Sequence, residues 1–265
     1  MPSFVPPQLT GLWRRESITA PGVHDAETQV VWLQTRSWYV DLRAPADRPL
    51  AAGRERLDDF TDGELLTLAR VEGFAGELIV ADGICAWRRD LDHQPPAPTP
   101  DEGRLSLDGE MMIEDGVHLP YREVWRRDLG SQAPLLAFRR EADDGREGLM
   151  VIGGDHLVEF VARPGPPLSA DASLAELVAS EVAVGRRDAA ITLLSTRIRY
   201  ARREGGGWIA RLSSLPWLEG APMWAAGAAR FDPASGGLEI AEADGPSRWR
   251  LLDASPDAPG ASSLS

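Results

Sequence analysis

The chain of 265 residues contains no lysine and no asparagine, and a single cysteine, Cys85. Without lysine there is no Schiff-base nucleophile, no pyridoxal-phosphate anchor and no Walker-type phosphate loop. Without asparagine there is no N-glycosylation acceptor. One cysteine excludes a disulfide framework within the chain and a zinc cluster of cysteines. All 28 basic side chains are arginine, set against 41 acids, for a formal net charge of −13. Neither half of the chain is basic, whereas a general nucleic-acid or anionic-membrane binder needs a basic face. No apolar run approaches the roughly 18 residues that cross a bilayer as a helix. The stretch Met1-Pro2-Ser3-Phe4-Val5-Pro6-Pro7 has neither the positive region nor the apolar core of a secretion signal. The expectation is a cytoplasmic protein, and arginine in place of lysine suggests a GC-rich bacterial genome.

What the chain has in quantity is turns, with 26 glycines and 21 prolines. Asp82-Gly83 is a type I′ hairpin signature, and Asp108-Gly109, Asp115-Gly116 and Gly205-Gly206-Gly207 punctuate in the same way. Between such signals lie short strand-like segments, 28–43, rich in Val, Trp, Tyr and Thr, then 77–80, 84–91, 104–107, 110–114 and 119–128. They resume at 149–152, 157–162, 189–203, 208–212, 225–231, 238–241 and 247–252. This spacing is that of an antiparallel meander, which closes as a barrel or stacks as a sandwich. Thr61-Asp62-Gly63-Glu64 is a capping box that opens one short helix. Residues 173–182 place Leu174, Leu177, Val178 and Val182 on one stripe of a second, ending near Gly185. The expected architecture is all-β, two antiparallel barrel halves over 1–130 and 131–265 with one or two short helices and a frayed tail from Asp253.

Three strands share a Trp-Arg-Arg core, at Trp13, Trp87 and Trp125, with irregular spacing that argues against a solenoid. Gly11-Leu12-Trp13 at the head of the first strand resembles the opening motif of lipocalins and related calycin barrels. That resemblance implies that the tryptophan closes one barrel end and that Arg126 or Arg127 stacks on it. Trp32-Leu33-Gln34-Thr35, Tyr39-Val40-Asp41-Leu42-Arg43-Ala44-Pro45 and Tyr121-Arg122-Glu123-Val124-Trp125 resemble a fungal double-barrel family first named for binding a casein-type kinase. The match covers about a third of the chain, all in its first half, and implies two lipocalin-like barrels and a protein partner.

Candidate site residues sit on alternating strand positions. Tyr39, Asp41 and Arg43 share one face, Tyr121, Glu123 and Trp125 another, and Cys85, Trp87 and Arg89 a third. Turned inward, together with Trp32 and Gln34, they make an aromatic wall with a few fixed charges, the composition of a small-molecule pocket. Turned outward, they make a solvated ladder of ion pairs. Arg43, or Arg89, is the group expected to meet an anionic end of a ligand, with Asp41 or Glu123 holding Arg43 meanwhile. His93 and His118 are acid–base candidates alongside Tyr121 and Glu123. The four histidines form no metal-ligand pair, so neither a metal nor a cofactor is expected. Cys85, mid-strand among apolar residues, reads as a buried structural thiol.

The leading functional expectation is binding of a small hydrophobic or amphiphilic molecule in the first barrel. A cofactor-free lyase or isomerase on the same barrel and a protein-interaction module are the alternatives. The charge balance carries its own test: at physiological salt the protein is expected not to retard DNA or RNA. A fluorescence-anisotropy titration at micromolar protein that stays flat meets this expectation.

Overall fold

The computed structural model describes residues 4–141, 144–242 and 245–256. Its first sheet contains β1 (Gly11–Ala20), β2 (Val23–Asp25), β3 (Gln29–Gln34), β4 (Trp38–Ala44), β5 (Glu72–Ala81), β6 (Ile84–Asp92), β7 (Glu102–Asp108), β8 (Met111–Gly116) and β9 (Arg122–Arg127). Every pairing is antiparallel, and β9 returns to β1 with Trp13 opposite Arg127. That return closes eight strands into a barrel, with β2 a short addition on β1. The second sheet contains β10 (Leu135–Arg140), β11 (Gly148–Gly153), β12 (His156–Val161), β13 (Arg197–Glu204), β14 (Gly207–Ser213), β15 (Ala229–Asp232), β16 (Gly237–Glu242) and β17 (Gly245–Ala254). Its order is β14-β13-β12-β11-β10-β17-β16-β15, an open sheet curled into a half-barrel. The all-β reading therefore holds, with the second half open where a closed barrel was expected.

Local chemistry explains the turns. Asp82 and Gly83 both have positive φ and join Ala81 to Ile84, the type I′ geometry that Asp-Gly favours. Gly205 and Gly206 do the same between Glu204 and Gly207. The segment 28–43 is a hairpin, not one strand: it turns at residues 35–37, where Thr35 N donates to Trp38 O at 2.8 Å. Asp115 and Gly116 lie within β8, and the turn falls after them. The turn expected at Ala142-Asp143-Asp144-Gly145 lies partly outside the described residues. β15 begins only at Ala229. β17 runs through Asp253 and Ala254, which pair with Ala137 and Leu136, so the tail is still strand where fraying was expected. Residues 257–265 lie outside the described part.

Three helices lie beside the sheets: α1 (Asp62–Leu68), α2 (Leu174–Ala183) and α3 (Arg187–Leu194). The expected capping box at Thr61 forms, and the second helix opens on another, at Ser173, where only its apolar stripe was read. Thr61 and Ser173 accept from the backbone N–H of Glu64 and Glu176, whose carboxylates return the bond at 2.8 Å. The third helix corrects the strand expected over 189–203. Ala190 and Leu194, four residues apart, are buried in one cluster with Leu65, Leu174 and Val178, which needs a helical period. Among the described residues no helix is long and apolar enough to cross a membrane.

Two apolar layers set the tertiary arrangement. Val40 and Leu42 on the outer face of β4 join Val31 and Leu33 of β3 against Val151, Val158, Phe160 and Ile198 of the second sheet. Inside the barrel, Trp13, Trp32, Trp87, Trp125, Tyr39, Phe74 and Met112 pack together. All three tryptophans of the Trp-Arg-Arg repeat thus point inward. Gly11 has φ 107°, and a Cβ there would lie 2.6 Å from Ser131 Oγ, the atom that accepts from Leu12 N. Only glycine satisfies both conditions. Two residues on, Trp13 is fully buried. It donates from Nε1 to Leu9 O at 2.8 Å, stacks on Trp32, and carries the Arg127 guanidinium 5.0 Å above its ring. Trp13→Ala is expected to cost about 3–5 kcal/mol of folding stability, as large-to-small core changes do. Chemical denaturation of the variant against the parent measures it.

Candidate functional site

The polar face of β4 turns into the barrel, because its apolar face is taken by the second sheet. Tyr39 is fully buried, with its ring edge-on to Phe74. Arg43 Nε donates to Asp41 at 2.9 Å, and Arg43 also lies 3.5 Å from Glu123. Both carboxylates expected to hold Arg43 therefore do so. Arg15 of β1 completes the cluster, donating to Glu123 at 2.7 Å and to Asp25 at 3.1 Å. Trp32 reaches Gln34 through its indole N–H at 3.3 Å, and Gln34 spends its amide on the carbonyls of Thr35 and Trp38.

Opposite Glu123 across the β8–β9 pair stands Glu114, which accepts from the Tyr121 hydroxyl at 2.8 Å. Burial, reinforced by the Glu123 carboxylate, pushes the Glu114 carboxyl up to about 8. Burial likewise raises Asp41 to about 6, against the pull of Arg43. The lumen left between Trp32, Phe74, Trp87, Trp125 and these acids has a volume of about 10 Å³. That is the room of about one water molecule. The first barrel is thus filled by its own side chains, where an open ligand cavity was expected.

Beside the lumen lies a cleft of about 550 Å³, between the loop that follows β6 and the segment that follows β12. Trp87 and Asp101 line both spaces, so the cleft adjoins the lumen. Arg89 lies in its wall, paired with Asp92 at 3.0 Å and Asp101 at 2.5 Å, its guanidinium 3.6 Å over the Phe74 ring. Prolines 96, 100, 166 and 167 supply much of the remaining wall, and Arg163 is the second arginine in it.

The four acid–base candidates do not converge. His93 is 1% exposed, and burial with the nearby Arg163 charge holds its imidazole down near 3, so it stays neutral at physiological pH. His118 lies at the surface, 2.9 Å from Glu102. Tyr121 and Glu123 connect only through Glu114 and the lumen cluster. Cys85 is buried, and burial with the Glu114 charge raises its thiol to about 12, as suits a structural residue.

Sequence reasoning missed Arg15, Glu114, Asp101 and Arg163. Arg15 carried a signal, since it sits two residues after Trp13 on the same strand face. Glu114 also alternates with a buried residue, Met112, but a turn expected at Asp115-Gly116 placed it at a strand end. Arg163 lies two residues beyond the end of its strand at Val161 and carried no pattern at all.

Fold and site together define a β protein in which a side-chain-filled barrel packs on a curled half-barrel, with a ligand-sized cleft beside their contact. No protein-family model and no curated protein matches the sequence. Among solved structures, the uncharacterized protein YLR301w from Saccharomyces cerevisiae is similar, with a TM-score of 0.56 at 12% identity. The match covers 92% of this chain and 98% of that one, which shows a shared double-barrel fold.

The Glu114 environment has a measurable consequence. The folded protein retains this proton over a range in which the unfolded chain, at the ordinary carboxylate value near 4.5, has lost it. Its contribution to stability is therefore full below that value and falls away as pH rises toward about 8. Glu114→Gln is expected to remove part of the decline between pH 5 and pH 9, an effect on the order of a few kcal/mol. Urea unfolding of parent and variant across that range checks it.

Proposed function

We propose that the protein binds a small, partly apolar molecule in the cleft beside the barrel. The observation that supports this reading is that Trp87 and Arg89, two lumen candidates, stand in the wall of a 550 Å³ space. That volume lies within the range of small-molecule sites, about 300–1,000 Å³. The lumen leaves no room for such a molecule, so the barrel acts as the rigid back of the site. Trp32, Trp125, Tyr39 and Gln34 hold that back in place, and the Asp41–Arg43–Glu123 cluster fixes its charges. The lipocalin resemblance fits a binding role, with the ligand moved from the barrel axis to its rim. The filled lumen also favours a second reading, a protein-interaction module, in keeping with the resemblance to the kinase-binding double-barrel family.

Native mass spectrometry of the purified protein separates the two. A retained small molecule, released on unfolding, is the expected result. Its titration back into the protein is expected to change tryptophan fluorescence, and Trp87→Phe to remove most of that change. Retention of a protein partner without any small molecule supports the interaction reading instead.

A further inference from the structure

Arg163 is 7% exposed and lines the cleft. Its guanidinium donates to backbone carbonyls only: Leu193 O at 2.6 Å, Asp92 O at 3.4 Å, and His93 O. Among the described residues, no carboxylate lies within ion-pair distance of it. The acids of the cleft are engaged elsewhere. Asp90 pairs with Arg139 at 2.6 Å, Asp92 and Asp101 with Arg89, and Glu147 with Arg139 at 3.8 Å. Arg163 is therefore the cleft charge that no side-chain counter-ion meets. Burial lowers its affinity for its proton, to about 10, with the more distant Asp92 charge opposing. A buried cation without a counter-ion costs several kcal/mol, and a ligand carboxylate offers the charge-assisted, planar match that a guanidinium favours.

The walls bear on the rest of the ligand. Pro96, Pro100, Pro166, Pro167 and Trp87 stand in the walls, and ring side chains suit a flat ring better than a flexible alkyl chain. We infer that the cleft takes an aromatic carboxylate, its ring between the proline and Trp87 faces and its carboxylate on the Arg163 guanidinium. This rests on the cleft being the ligand site.

Indole-3-acetate and indole-3-acetamide, equal in shape and different in charge, are titrated into the intact protein by calorimetry. The acetate is expected to bind at least tenfold more tightly. Arg163→Gln is expected to abolish that preference. Ala97→Trp, on the exposed cleft loop, is expected to block both probes and needs no change to a buried residue. Equal binding of the two probes overturns the inference and leaves the cleft reading intact. A preference that survives in a folded Arg163→Gln protein overturns the role given to Arg163. If neither probe binds, the aromatic-carboxylate assignment fails, while native mass spectrometry still decides whether the cleft holds another molecule.

Discussion

Burial of both faces of β4 is the constraint on which the rest of the structure depends. Val40 and Leu42 are fully buried against the second sheet, and Tyr39 and Asp41 are buried within the barrel. Each apolar side chain in the seam is worth about 1.5–3 kcal/mol relative to exposure. The curled sheet covers Leu12, Val31 and Leu33 as well, so this contact gathers much of the hydrophobic stabilisation of the chain. The apolar face of an isolated barrel strand points to the lumen. Here a second sheet outside the barrel takes the apolar face, and the polar alternates fall inward.

The inversion shapes the interior chemistry. Asp41, Arg43, Arg15 and Glu123 are drawn out of water together and survive there only because each finds its opposite. Such clusters roughly break even against hydrophobic packing, while removal of one partner leaves a buried charge that costs about 3–5 kcal/mol. Their return is geometric definition. Four tryptophans and a network of ion pairs fill the barrel, and at its end Arg89 is paired with Asp92 and Asp101.

The barrel is filled, and the open space lies at its rim, where segments of the two halves meet. The cleft draws Trp87, Arg89 and Asp101 from the first half and Arg163 and the paired prolines 166 and 167 from the second. Arg163 also fastens the halves, tying the α3 carbonyl of Leu193 to the carbonyls of Asp92 and His93. The residue that ties these carbonyls together is thus also the one that brings a charge without a side-chain counter-ion, among the described residues, to the cleft wall.

Local signals carried the secondary structure wherever the chemistry is local. Asp82-Gly83 and the Thr61–Glu64 cap each act within a few residues, and each formed as read; the Ser173–Glu176 cap is equally local but sits on a helix placed by its apolar stripe alone. α3 escaped because Ala190 and Leu194 show their period only against the cluster that buries them. The alternation at Tyr39, Asp41, Arg43, Glu123 and Trp125 was likewise legible, and it placed these residues together on strand faces. Which face lay inside was not legible, since alternation has a period but no sign. The sign came from the second sheet, packed more than 90 residues away in the chain. The sequence by itself determined the all-β class, most of the strands, hairpin turns such as Asp82-Gly83, two of the helices and the membership of the polar faces. Only the tertiary structure decided that those faces are buried, that the lumen is full, and that Arg163 meets the cleft. Each of these depends on what packs against a strand from a distant part of the chain.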